Sequence, residues 1–289
     1  MKHASSPFLA PFDGSFHVKK AATEPDRSPD KDQYKKHHKK LIAELDERQR
    51  LLYAQDRYAV LFIFQAMDAA GKDSTIRAVM RGIDPAGCQV HSFKQPSAEE
   101  LDHDFLWRTA VRMPERGRIG IFNRSYYEEV LVVKVHPTIL KAQKLPTKSN
   151  FSKIWRERYE SITDFEKHLA RNGTVIVKFW LNVSNQEQRR RFLSRLEQRE
   201  KNWKFSSNDV AERKYWRDYM GAYEDMINAT AKPWAPWYVI PADNKPFMRL
   251  QVAQIMVDTL ANMPLRYPTP DDDEKALFDD MIEKLKSSA

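Results

Sequence analysis

From residue 31 onward, short apolar runs alternate with amphipathic stretches. Five runs predict strands, over 59–65, 88–94, 118–122, 174–181 and 237–240. Between them, apolar positions recur at helical spacing. Leu41, Ile42, Leu45, Leu52 and Tyr53 predict a helix over 31–56, and Ile76, Val79 and Met80 one after Gly71. Ile154, Tyr159, Ile162, Phe165 and Leu169 predict a helix over 150–171, and a further helix follows over about 246–262. Ser97 and Glu100 form a capping-box pattern opening a helix with Leu101, Phe105, Arg108 and Arg112. A second such pattern, Ser206 with Asp209, opens a helix with Trp216, Tyr219, Met220, Tyr223, Met226 and Ile227 on one face. Residues 185–201 read as one long, very basic helix, and Pro85–Gly87 as a turn.

Strands alternating with helices predict an α/β fold with a central, mainly parallel five-stranded sheet covered on both faces. Residues 1–30 lack periodicity and read as an extended arm. Residues 31–265 read as a single domain including a lid over about 185–210. Residues 266–289 form a tail, acidic over 271–274 and closed by a short helix.

Composition narrows the function. A formal charge of +8 favours anionic partners such as nucleotides, nucleic acid, membrane surfaces or condensed phosphate. One cysteine, Cys88, excludes an internal disulfide and fits a reducing compartment. The apolar run from Ala59 to Phe64 is too short to span a bilayer, and no secretion signal is visible. A soluble, cytoplasmic protein is expected. None of the 8 glycines builds G-x-G-x-x-G, and H-E-x-x-H, G-x-S-x-G and paired C-x-x-C are absent, which removes the common dinucleotide, zinc and serine-nucleophile readings.

The first strand runs directly into Ala66-Met-Asp-Ala-Ala-Gly-Lys72-Asp-Ser-Thr75. A strand, a small-residue turn and Gly-Lys at a helix start make a phosphate-binding loop, where backbone N–H groups and a lysine face an anion. The loop departs from G-x-x-x-x-G-K-[ST]: Ala66 takes the place of the first glycine and Asp73 follows the lysine, leaving Ser74 or Thr75 to supply the hydroxyl. An alanine still makes the turn if its φ stays negative. Asp68 within the loop would repel phosphate unless a divalent cation lies between them. The competing reading is a plain strand-to-helix turn with an exposed lysine.

Cations recur at four-residue intervals: Arg191, Arg195 and Arg199 in the basic helix, Arg77 with Arg81, and Arg108 with Arg112. Lys94 ends the second strand, at the edge where open parallel sheets bind ligands. On a lid, the arginine stripe would close over a transferring phosphate; as a solvated face, it would pair with Glu187, Glu197 and Glu200. Glu128 and Glu129 lie just past Asn123 and either hold a metal-bound water or complement a helix dipole. Asp102, His103 and Asp104 read as a surface cluster, and His91 and His136 as structural.

Asp68-Ala-Ala-Gly-Lys72, Phe93-Lys-Gln-Pro-Ser97, Phe122-Asn-Arg-Ser-Tyr-Tyr127 and Asn202-Trp-Lys-Phe-Ser206 occur in register, with Trp234-Ala-Pro-Trp-Tyr-Val-Ile-Pro-Ala-Asp243 behind them. Together they resemble the polyphosphate kinase 2 family, over roughly residues 30–262. The resemblance implies a P-loop kinase-like, thymidylate kinase-related three-layer sandwich with a helical lid. It implies Mg²⁺-dependent phosphoryl transfer between inorganic polyphosphate and AMP, ADP or ATP, with GMP and GDP as further candidates, in a homo-oligomer, dimer or tetramer. Nucleic acid and membrane are not expected partners. By the same resemblance, Lys72 binds the transferred phosphate and Asp68 positions phosphate and metal, with Glu129 as a second metal candidate. Asn123, Arg124 and Arg195 complete the implied catalytic set. Ala69, Ala70, Gly71, Asp73, Ser74, Thr75, Arg77, Arg81, Lys94, Arg191, Arg199 and Lys204 are assigned to the polyphosphate path. Arg108, Arg112, Tyr127, Glu128 and Glu129 are assigned to the nucleotide. Many family members carry Asp-Arg-Ser where this chain has Asn123-Arg124-Ser125. The amide orients ligands but cannot act as a base, and this form resembles the branch that accepts AMP as well as ADP. Two rivals stand beside this reading: an ATP-dependent nucleoside monophosphate kinase, and a basic nucleic-acid-binding protein with a vestigial loop.

Overall fold

The computed structural model describes residues 2–26, 30–146 and 151–288. Among these, five strands form one sheet: β1 (Ala59–Gln65), β2 (Cys88–Ser92), β3 (Ile119–Asn123), β4 (Thr174–Asn182) and β5 (Trp237–Pro241). The order is β2-β3-β1-β4-β5, with every neighbouring pair parallel. β1 sits at the centre, buried along its whole length. This explains its unbroken apolar run, since both of its faces meet helices.

The helices are α1 (Lys31–Gln55), α2 (Lys72–Val79), α3 (Phe151–Arg171), α4 (Asn185–Glu197), α5 (Trp216–Thr230), α6 (Lys245–Ala261) and α7 (Asp272–Ser287), joined by shorter turns. α6 packs against α1 and α2 in one layer, and α3 packs against α5 in the other. Leu41, Leu45 and Leu52 of α1 are buried, as their spacing predicts. The outer edge of β5 is covered by the N-terminal segment. Leu9 bridges Tyr238 in antiparallel fashion, Val239 N donates to Phe8 O at 2.8 Å, and Ala4, Ala10 and Phe16 are buried. An edge strand that would otherwise expose its ladder is thereby closed. Among the described residues no helix is long and apolar enough to cross a membrane.

Three predicted helices differ. The Ser97 capping box forms, but its helix ends at Asp102 because His103 is extended, and a separate turn covers Trp107–Ala110. Leu101, Phe105, Arg108 and Arg112 therefore do not share a helix. The basic helix stops at Glu197: Gln198 is extended, and a 3-10 turn follows over Arg199–Lys204. Ser206 makes no side-chain cap, and the helix after it is only Ser207–Ala211, so α5 starts later, at Trp216.

Candidate active site

The chain leaves β1 at the strand about which the sheet order reverses, the position where open parallel sheets bind ligands. The register aligns Asn123 with Phe64 on one side and Ser92 on the other, so the ends of β1, β2 and β3 share one edge. Gly71, at φ +108°, caps α2, and Thr75 N donates to Gly71 O at 3.0 Å. A Cβ on Gly71 would lie 3.2 Å from Met248 Cε. Ala66 stays out of the left-handed region, as a tight turn with alanine requires, but Ala69 enters it at φ +60°.

Lys72 is buried, and its ammonium folds back onto its own loop, donating to Ala66 O at 2.6 Å and to Met67 O at 3.4 Å. Burial, helped by the Arg124 guanidinium, pushes its pKa down to about 8, against the pull of Asp68, Glu128 and Asp73. Arg124 follows β3 at φ +63° and donates to Asp68 Oδ1 at 2.6 Å and to Glu128 Oε2 at 2.9 Å. Glu128 first, then Asp68, hold this guanidinium firmly charged. Asn123 Nδ2 donates to Asp73 Oδ1 at 2.7 Å and lies 3.4 Å from Ser92 Oγ, while Asn123 Oδ1 is buried without a hydrogen-bond partner. Lys72, Asp68, Asp73, Asn123, Arg124 and Glu128 thus meet at the loop mouth.

α4 and the turn Ser207–Ala211 reach the same place. Gln188 Nε2 donates to Asp68 O at 2.9 Å, and Arg195 pairs with Asp209 at 3.4 Å. The Asp209 carboxyl is raised by burial and by repulsion from Asp68, which sets the Ser207–Ala211 turn within electrostatic reach of the loop. Arg108 stands nearby. It donates to Lys94 O at 2.8 Å, lies over the Phe93 ring at 5.4 Å and feels Glu128.

Several assigned residues lie elsewhere. Arg191 is buried and gives its donors to main-chain carbonyls: Nη1 to Ala70 O at 2.6 Å and Ala69 O at 3.1 Å, Nη2 to Ala242 O at 2.6 Å and Asp243 O at 3.1 Å. It ties the phosphate loop to the loop after β5 and does not line a phosphate path. Arg199 lies beyond the extended Gln198 and leaves the stripe of Arg191 and Arg195. Tyr127 is fully buried, and its hydroxyl is directed into the core, onto Glu166. Glu129 is also buried, held by Arg158 at 3.0 Å and by Gln143 at 2.7 Å; the acid facing the loop is Glu128. The hydroxyls of Ser74 and Thr75 both donate back to Gly71 O. Arg77, Arg81 and Arg112 are exposed. Arg81 stands beyond the end of α2, about 13 Å along the helix direction from the loop at 1.5 Å per residue. The side chain of Lys204 lies outside the described residues.

Sequence reasoning missed Gln188, Asp209 and a buried pair, Glu166 with Lys178 at 2.7 Å. Only Lys178 carried a signal, being a lone lysine inside an apolar strand.

A family model described as polyphosphate kinase 2 (PPK2) matches residues 28–267. The chain is 57% identical over 228 residues to an ADP-polyphosphate phosphotransferase of Rhodopseudomonas palustris, covering 78% of this chain and 79% of that protein. It is 43% identical over 227 residues to an AMP/ADP-polyphosphate phosphotransferase of Meiothermus ruber, covering 78% and 81%. The crystal structure of polyphosphate kinase 2 from Arthrobacter aurescens TC1 superposes with a TM-score of 0.84 at 36% identity, over 97% of this chain and 99% of that one.

Proposed function

Because the chain belongs to the polyphosphate kinase 2 family, we propose that it transfers the terminal phosphoryl group of inorganic polyphosphate to AMP or ADP, giving ADP or ATP, and that it runs this transfer in either direction. The observation that carries the reading is the meeting of Lys72 and Arg124 over Asp68 at the phosphate loop. Each cation is engaged by groups that phosphate oxygens can replace: loop carbonyls for Lys72, carboxylates for Arg124.

A divalent cation fits the donor set. The Asp68 carboxylate is 31% exposed at the loop mouth, and Asn123 Oδ1 is a buried acceptor still lacking a donor. Among the described residues no group of three or more Asp, Glu, His or Cys side chains is placed to hold a metal ion by itself. This suits magnesium, which takes few protein ligands and completes its shell with phosphate oxygens and water. When bound, magnesium neutralises phosphate charge.

The remaining work falls to the chain. The acceptor is a phosphate oxygen that is already ionised near neutral pH, so no general base is needed and the amide of Asn123 is no handicap. The acceptor oxygen forms a bond to the terminal phosphorus, the anhydride P–O bond breaks, and the shortened polyphosphate leaves with the electron pair. Charge spread over the equatorial oxygens meets Lys72 and Arg124, with Arg195 arriving from the lid. Arg191 holds the loop and Arg108 steadies the end of β2 on the nucleotide side. The apolar stripe of Leu277, Phe278, Met281, Ile282 and Leu285, exposed along α7, supports a homo-oligomer. The half-buried Cys88 thiol, pushed up to about 12 by burial and Asp84, is inert and suits a cytoplasmic protein.

A matrix of donors (polyphosphate, ATP) against acceptors (AMP, ADP, GMP, GDP) with Mg²⁺ tests the reading. Polyphosphate as sole donor is expected to yield ADP or ATP. Turnover only with ATP as donor would replace it with an ordinary nucleoside monophosphate kinase.

A further inference from the structure

Arg124 holds a backbone conformation that a side chain with a Cβ keeps only where its surroundings enforce it. On the upstream side, Arg124 N donates to Phe64 O at 3.0 Å. On the downstream side, Ser125 Oγ accepts from Tyr127 N at 3.2 Å and from Gln65 Nε2 at 3.3 Å. The next two side chains then enter the core. Tyr126 and Tyr127 both donate to Glu166 Oε1, at 2.9 and 2.7 Å. Lys178 closes the knot, donating to Glu166 Oε2 at 2.7 Å, Tyr127 Oη at 2.8 Å and Thr230 O at 2.9 Å. Trp237 Nε1 donates to Thr230 Oγ1 at 2.9 Å and extends it to β5.

Glu166 and Lys178 are wholly inaccessible to solvent, and Tyr127 with them. A buried ion pair contributes little that well-packed apolar side chains would not, so core stability alone does not account for it. What the knot does fix is the turn Tyr126–Val130, which begins two residues after Arg124 and carries Glu128. The knot draws on α3, β4 and the end of α5, so three elements converge on that one turn from well downstream in the chain.

We infer that the buried Glu166–Lys178 pair, acting through Tyr126 and Tyr127, is a positioning device that holds Arg124 in its left-handed conformation with the guanidinium over Asp68. None of its members touches substrate. The inference rests on the proposed role of Arg124 at the transferring phosphate.

A double-mutant cycle tests it. Tyr127→Phe and Glu166→Gln are each made alone and together with Arg124→Ala, and kcat, KM for polyphosphate and ADP, and thermal melts are measured. In the otherwise native chain each is expected to lower kcat about tenfold while changing either KM less than about twofold. In the Arg124→Ala background the same substitutions are expected to leave kcat unchanged, although the melting temperature falls equally in both backgrounds. The same fold-loss of kcat in both backgrounds, or an unchanged kcat in the native one, overturns the inference. Undiminished turnover in Arg124→Ala alone overturns the role of Arg124 itself and the inference with it. If Glu166→Gln fails to fold, Tyr127→Phe decides, since it removes one hydroxyl and keeps the ring.

Discussion

Lys72 and Asn123 show how much single side chains at the loop mouth depend on their neighbours. The Lys72 ammonium rests on the carbonyls of Ala66 and Met67, so removing it leaves two acceptors at the opening of the site. Lys72→Ala is expected to reduce turnover by about 10²–10³, the usual cost of one preorganised charge contact, with an unchanged circular dichroism spectrum. Loss of helical signal would instead assign Lys72 a folding role. Asn123 donates to Asp73 at 2.7 Å, and Asn123→Asp would set two carboxylates at that distance. The variant is expected to lose about 1–2 kcal/mol of stability by like-charge repulsion, and to recover it when Mg²⁺ is added. Melting curves with and without the ion read this directly, and identical curves for the two proteins would refute it. At this scale the motifs were legible, because Asp68, Lys72, Asn123 and Arg124 lie within a few residues of strand ends. The Asn123–Asp73 bond was not, since it joins residues 50 positions apart.

At the scale of elements, α4 shows what helical spacing reveals and what it hides. Arg191 and Arg195 share a face as their four-residue interval requires, yet one clamps backbone and the other pairs with Asp209. Spacing establishes a shared face without saying what lies opposite it. The Arg191 fork spans two loops and is also tied to Glu187 at 2.6 Å. A lysine is a single point charge and cannot satisfy both loops. Arg191→Lys is expected to cost about 1–3 kcal/mol in denaturant unfolding, because carbonyls of one of the two loops lose their donor. Unfolding curves that coincide with those of the native protein would contradict this. The Ser97 pattern capped a helix and the Ser206 pattern did not, although both match the same template. A template counts side chains, whereas a cap needs the hydroxyl to turn back onto the first-turn N–H groups, which Ser206 does not do although its backbone is extended like that of Ser97.

At the scale of the whole molecule, the buried pair in the core predicts a pH dependence. Burial lowers the Lys178 pKa from 10.5 to about 8, with Glu166 pulling the other way. Between these values the unfolded chain holds a proton that the folded chain has released, so stability from this group rises with pH across the window. The buried hydroxyls of Tyr126 and Tyr127, raised well above 10, act oppositely once unfolded tyrosines ionise, so the rise ends near pH 10. Relative to a Glu166→Gln, Lys178→Met double variant, the native protein is expected to gain melting temperature from pH 8 to 9.5. A constant difference between the two over that interval would count against the assignment. The N-terminal segment belongs to this scale too. Its polar, aperiodic sequence hides its few buried anchors, Ala4, Ala10 and Phe16, and its main-chain bonds to β5 leave no side-chain pattern.

The order of strands and helices, the loop after β1 and the residue types of the site follow from the chain by itself, because they depend on local periodicity and on motifs whose members are near neighbours. Which arginine reaches the loop mouth and which grips the backbone, which of Glu128 and Glu129 faces the loop, and what Tyr127 and Lys178 hold were decided only by the tertiary structure. Those outcomes depend on burial and on partners brought together from distant segments, and a one-dimensional pattern contains neither.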